Sequence, residues 1–201
     1  MNEFAPPEIV SEVAGSIAIV TFNRPAERNP LSNKVLDKLK EILGQLGTDE
    51  RIRTIIFTGK EDVFLSGANI RELATLDQTS AREFSLKGQR LMQYIADLRQ
   101  TTIAAINGYC MGGGLDLALA CDIRIASDTA VFAHPGARLG IITGWGGTQR
   151  LPRLVGKAKA IELFGTARVI KCGEALDIGL VQYRETPPLD FGWKLAKSLT
   201  S

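Results

Sequence analysis

The chain has 201 residues, 45% apolar and 23% charged, and its 24 Lys and Arg against 22 Asp and Glu leave a formal net charge of +2. That length and balance predict one globular domain with a sizeable core, and charges scattered without a block of one sign exclude a basic arm for nucleic acid. The opening stretch MNEFAPPEIV lacks the basic and apolar regions of a leader, and no apolar run nears the roughly 18 residues of a membrane span, so the expected location is cytoplasmic, away from membranes.

In chain order, SIAIVTF (16–22) and RTIIFTG (53–59) are short β-branched runs, each suited to a buried strand. Between them SNKVLDKLKEILGQL (32–46) sets Val35, Leu36, Leu39, Ile42, Leu43 and Leu46 on one helical face behind Ser32 as N-cap. EDVFLSGANIREL (61–73) reads as a strand-flanking loop leading into a short helical pattern. A second long helix is predicted over about 80–99 from Phe84, Leu91, Met92, Ile95 and Leu98, and TTIAAING (101–108) is a buried strand. CMGGGLDLALACD (110–122) places three glycines and an aspartate at the start of an apolar helix. DIRIAS (122–127) and AVFAHP (130–135) are short strands, ARLGIITGWGG (137–147) is irregular, short helices lie around 148–166 and 173–179, and GLVQYR (179–184) is a last strand. Strands alternating with helices predict an α/β class, with no linker to divide it. Cys110, Cys121 and Cys172 are odd in number and lack CxxC spacing, so no disulfide framework or zinc site is expected, and a reducing compartment is.

The glycines raise a chemical question. A helix that starts directly after a buried strand presents N–H groups without intrahelical partners and the positive end of its dipole, and glycine lets a second molecule approach them. Gly112, Gly113 and Gly114 therefore suit an anion or an oxyanion; tight packing of helix on strand accounts for them equally well. Ser66, Gly67 and Ala68 offer a second set of backbone donors, which spacing alone does not bring to the first. GxGxxG, Walker A, HExxH and GxSxG patterns are absent.

FLSGANIREL, INGYCMGGGLDLALACDIRIAS and GIITGWGGTQRLPRLVG, together with TFNRPAERNPLS, resemble the crotonase, or enoyl-CoA hydratase/isomerase, family from Ile17 to Arg184, four motifs in the family's order. The resemblance implies one domain over 1–201, a spiral of repeated ββα units that binds an acyl-CoA thioester and stabilises its enolate. By motif position the oxyanion donors are the backbone N–H groups of Ala68 and Gly113, with Ser66, Gly67, Asn69, Ile70, Met111 and Gly112 along the substrate. Arg28 and Pro30 of RPAERNPLS are expected along the CoA, Arg28 at a phosphate rather than as a solvated loop charge. Coenzyme A is then part of the substrate, and no metal or redox cofactor is implied. Residues 186–201 resemble the start of a C-terminal helical region that reads as short or truncated, and a homo-trimer or hexamer is the implied assembly.

Two positions depart from the family pattern. Hydratases of the family hold a water between two glutamates. The first falls on Asp116, which keeps a carboxylate one methylene shorter, or serves only the helix dipole. The second falls on Gly136 of HPGARLG, and glycine cannot supply acid or base catalysis typically worth about 10²–10⁴-fold. His134, the single histidine, is a candidate substitute, set against the commoner reading of a packed side chain. Asp122 reads as a strand-start residue bonded to backbone, and Arg138 as an outward-facing charge or a ligand for an acyl carboxylate. Three functions follow: hydration of a 2-enoyl-CoA as the nominal activity; decarboxylation of an alkylmalonyl-type thioester or a double-bond shift, with Trp145 of the W-G-G segment shaping the acyl pocket; or a catalytically weak acyl-CoA binder or assembly subunit.

Overall fold

The computed structural model describes residues 6–200; residues 1–5, which include half of the stretch read for a leader, and Ser201 lie outside the described residues. The strands are β1 (Ile9–Ala14), β2 (Ile17–Phe22), β3 (Pro30–Leu31), β4 (Thr54–Gly59), β5 (Val63–Leu65), β6 (Gly67–Ala68), β7 (Thr101–Ile106), β8 (Tyr109–Met111), β9 (Ile123–Ala126), β10 (Val131–Ala133), β11 (Ile170–Lys171) and β12 (Tyr183–Arg184). The main sheet has the order β1-β2-β4-β7-β9-β12, a second has β11-β10-β8-β5, and β3 pairs with β6. Only the β1–β2 hairpin of the main sheet is antiparallel. β4 and β7 are buried on both faces, which is why they read as unbroken apolar runs. The sequence reading missed β1: its residues 11–14 are exposed, so this edge strand lacks a half-buried alternation.

Helix α1 (Asn33–Thr48) starts where Ser32 Oγ accepts the Val35 N–H at 3.2 Å, and its six predicted apolar residues are buried. α2 (Ile70–Leu73) is a single turn, and α3 (Gln78–Ala96) opens on a capping box between Asp77 and Ser80. α3 ends before the predicted boundary, leaving Leu98 partly buried beyond it. In α4 (Gly113–Ala120) every residue is buried, so the helix has no solvent face and Asp116 must sit in the core. The predicted helical stretch 148–166 is two helices, α5 (Gly147–Val155) and α6 (Lys157–Thr166), split at Gly156, whose φ of +82° suits glycine. α7 (Cys172–Asp177) follows β11, and the predicted strand 179–184 contracts to β12 because Leu180 and Val181 bond back to Ala175 O in a turn.

The two faces of the main sheet have separate jobs. One packs against α1, α3 and α4 in the large core; on the other, Ile17, Ile56, Ile103 and Ile125 meet α8 (Pro188–Thr200) through Leu189, Phe191, Trp193 and Leu195. Buried Arg124 ties β9 to the end of α4 by donating to the carbonyls of Ala118, Cys121 and Leu180. All three cysteines are buried and unpaired. Among the described residues, no helix is long and apolar enough to cross a membrane.

Candidate functional site

The β5–β6 segment and the β8–α4 junction meet backbone to backbone. Gly67 has φ +100°, and a Cβ there would lie 2.8 Å from Met111 O and 3.0 Å from Gly113 N. A Cβ on Gly114 would fall 2.5 Å from the Leu65 Cβ and carbonyl, and one on Gly113 only 2.3 Å from Trp145 Cζ3. Glycine at 113 and 114 is therefore required by packing. Gly112, with φ +51°, caps α4 without a side chain, and its own N–H goes to Ala133 O at 2.9 Å. The Gly113 N–H stands at the first helical position, where no intrahelical acceptor exists.

Beside this junction is a cavity of about 280 Å³. Of the residues singled out in the sequence, it is lined by Ser66, Gly67, Ala68 and Ile70 from one segment, by Gly112, Gly113 and Asp116 from the other, and by Gly136 and Trp145 from the irregular run. Four expected substrate contacts do not line it. Asn69 instead caps α2, its Oδ1 accepting the Arg71 N–H at 3.0 Å. The Met111 carbonyl backs onto Gly67, and Pro30 pairs with Gly67 in the β3–β6 ladder. Arg28 is exposed, with its guanidinium 5.4 Å from the Tyr109 ring centroid. Trp145 is 3% exposed and its ring lies 5.2 Å from that of Phe84, so it is both a packed residue and part of the cavity wall. Arg138 is exposed and does not line the cavity, whereas Asp122 accepts from the Thr102 N–H and hydroxyl at 2.7 and 2.8 Å, as a strand-start residue.

The titratable groups at the cavity are Asp116 and His134. Burial pushes the Asp116 carboxyl up to about 7, opposed by the Thr143 hydroxyl, the charge of Arg150 and the backbone N–H of Gly147. Thr143 donates to Asp116 Oδ2. Burial alone pushes the His134 imidazole down to about 4, and its Nε2 stands 3.6 Å from Asp116 Oδ1. Sequence reasoning missed Thr143, because a lone hydroxyl in an irregular glycine-rich run carries no pattern. At Gly136 the Ile141 N–H closes a turn onto the Gly136 carbonyl at 3.0 Å, and a Cβ would stand 2.6 Å from Ile141 O. A side chain at 136 would thus require the backbone of this turn to shift. Among the described residues, no group of three or more His, Cys, Asp and Glu could hold a metal ion.

The family model described as enoyl-CoA hydratase/isomerase matches residues 12–185. A short-chain-enoyl-CoA hydratase from Clostridium acetobutylicum is 41% identical over 174 residues, covering 86% of this chain and 67% of that protein. A crotonyl-CoA hydratase from Syntrophomonas wolfei has the same identity and coverage. The chain thus spans about two thirds of the length of these relatives, and 64% of a probable enoyl-CoA hydratase from Bacillus subtilis. The crystal structure of an enoyl-CoA hydratase from Bacillus anthracis superposes with a TM-score of 0.92 at 34% identity, over 96% of this chain and 77% of that one.

Proposed function

The chain belongs to the enoyl-CoA hydratase/isomerase family, and from that premise we propose that it binds an acyl-CoA thioester with the carbonyl oxygen between the N–H groups of Ala68 and Gly113, Asp116 moving the proton. The observation that supports this reading is the close approach of the Gly67 and Gly113 backbones beside a cavity that Ala68 and Gly113 both line. In the β3–β6 ladder the Asn69 N–H is taken by Leu31 O; successive amides of a strand point to opposite sides, so the Ala68 N–H is turned from β3. Two preorganised donors favour the charge that develops on oxygen over the neutral carbonyl.

The favoured reaction is hydration of a short 2-enoyl thioester, since relatives at 41% identity carry short-chain-enoyl-CoA and crotonyl-CoA hydratase names and the cavity is small. Water oxygen bonds to C3 as the double-bond electrons move through C2 to the thioester oxygen. Asp116 takes one proton from that water and returns it to C2 as the enolate collapses, so the elements of one water are added and the carboxylate is regenerated. The turn at Gly136 favours a second reading that also needs only one carboxylate, a double-bond shift in which Asp116 moves a proton between C4 and C2. An exposed apolar face of Leu139, Ile141, Ile142 and Ile161 beside the site suits the homo-oligomer the resemblance implies.

The test is turnover of crotonyl-CoA, 3-butenoyl-CoA and methylmalonyl-CoA by the purified chain, with Asp116→Ala beside it. Hydration lost in the variant supports the proposal. A double-bond shift alone moves the function to isomerisation, CO₂ release to decarboxylation, and binding without turnover to an acyl-CoA binder.

A further inference from the structure

Three buried polar atoms at the cavity have no hydrogen-bond partner: Asp116 Oδ1 and both ring nitrogens of His134. Unpaired buried atoms of this kind are uncommon and call for an explanation. Asp116 is 0% and His134 4% exposed, and both line the cavity. The Nε2–Oδ1 separation of 3.6 Å lies a few tenths of an ångström beyond hydrogen-bond reach. The imidazole is held in place, its ring 5.0 Å from that of Phe164 and its backbone leading into Pro135. A turn of a few tenths of an ångström about the last side-chain bond of Asp116 would close the gap, with Oδ2 kept on the Thr143 hydroxyl.

We propose that His134 is the positioning residue for Asp116: its neutral imidazole donates Nε2–H to Oδ1 while Thr143 donates to Oδ2, so the carboxylate is gripped at both oxygens as it works on the thioester. This rests on the proton-transfer role assigned to Asp116 above. No proton leaves the imidazole; Asp116 alone accepts and returns one. Burial disfavours the charged form of each group, and an N–H donor restores the ionised carboxylate that a base requires. The other titratable groups around the pair are Arg150 on α5, whose charge also favours the carboxylate, and Cys110 on β8, which burial keeps as the thiol. Lys157 and Arg168 line hollows that His134 shares away from the main cavity.

The experiment compares His134→Phe, which preserves the ring packing without a donor, with His134→Gln, whose amide N–H can reach the same oxygen. In His134→Phe the acidic limb of kcat for crotonyl-CoA moves up by about one pH unit and kcat on the plateau falls about tenfold. Binding of butyryl-CoA, a saturated thioester, changes less than about threefold by the same argument, because the donor acts on Asp116 and not on the ligand. His134→Gln brings the limb back. The same shift is read without turnover from the carbon-13 resonance of the Asp116 carboxyl, so a protein inert toward enoyl thioesters would remove the hydratase reading while this titration still judges the contact. An unshifted Asp116 titration in His134→Phe, or equal shifts in Phe and Gln variants of unchanged melting temperature, would overturn the proposal.

Discussion

Gly67→Ala tests the oxyanion reading most directly, because the structure supplies both the strain and its direction. A side chain at φ +100° costs about 1–3 kcal/mol in backbone strain. The added Cβ would stand 2.8 Å from Met111 O and 3.0 Å from Gly113 N, both backbone atoms that cannot rotate away. The β6 segment must therefore retreat by roughly half an ångström to reach ordinary contact distances, carrying the Ala68 N–H away from Gly113. Loss of one oxyanion donor lowers kcat by about 10²–10³, so a fall of about 10²-fold is expected. The assay is loss of the conjugated-thioester absorbance of crotonyl-CoA, with a thermal melt of each variant. Gly15→Ala is the control: Gly15 has φ +63° in the β1–β2 turn with nothing within 4 Å of a Cβ, so it shares the strain without touching the site. If Gly67→Ala and Gly15→Ala lose stability alike and both keep kcat within about threefold, far short of a lost donor, the convergence of the two glycine segments is not an oxyanion site.

Gly136→Glu returns the carboxylate the family pattern contains, yet a Cβ there meets Ile141 O at 2.6 Å; the expected result is a loss of about 1–3 kcal/mol in urea unfolding and no gain in hydration. Gly113→Ala drives a Cβ into the Trp145 ring, so a double-mutant cycle with Trp145→Leu should give a coupling of about 1 kcal/mol or more, the larger side chain being better tolerated once the indole is gone. Asp116 binds its proton more tightly in the folded chain, at about 7, than a free aspartate does at 3.8. The stability this represents is complete below 3.8 and lost as pH rises through 7, at most about 4 kcal/mol for a shift of roughly three units. Asp116→Asn should therefore raise the denaturant midpoint at pH 8 and leave it nearly unchanged at pH 4, the reverse of what removing a salt-bridged carboxylate does.

The strands and helices that bury a continuous face were legible because periodicity reports burial: the six apolar residues of α1 and the unbroken runs of β4 and β7 are where a residue-by-residue reading puts them. β1 escaped because it faces solvent, while the short helices expected around 148–166 are α5 and α6, parted at Gly156 with its positive φ. The motifs marked both glycine segments, whereas their approach is a tertiary event between residues 67 and 113 that spacing cannot contain. Arg28, Pro30, Asn69 and Met111 were expected at the substrate from their place in the motifs; they lie outside the cavity lining, Pro30 in the β3–β6 ladder and Asn69 as the cap of α2. The proximity of Asp116, His134 and Thr143 is likewise long-range, across residues with no shared pattern.

The same geometry bears on the two readings of Asp116, dipole partner or proton carrier. A carboxylate that serves only the dipole lies at an exposed first turn, where the partial positive charge favours its ionised form and its proton affinity falls. Asp116 is fully buried in a helix whose other residues are all apolar or glycine, its proton affinity rises, and one of its oxygens has no hydrogen bond. An uncharged residue of similar size would fill the position at lower cost above neutral pH, since burying a charge is unfavourable unless it is paired. Dipole complementarity is therefore the weaker explanation, and a carboxyl that titrates near neutrality, beside backbone donors and a small cavity, has the properties of a group that gives and takes a proton. Gly136 fits the same proposal, because it carries no carboxylate and a side chain there would require its turn to shift.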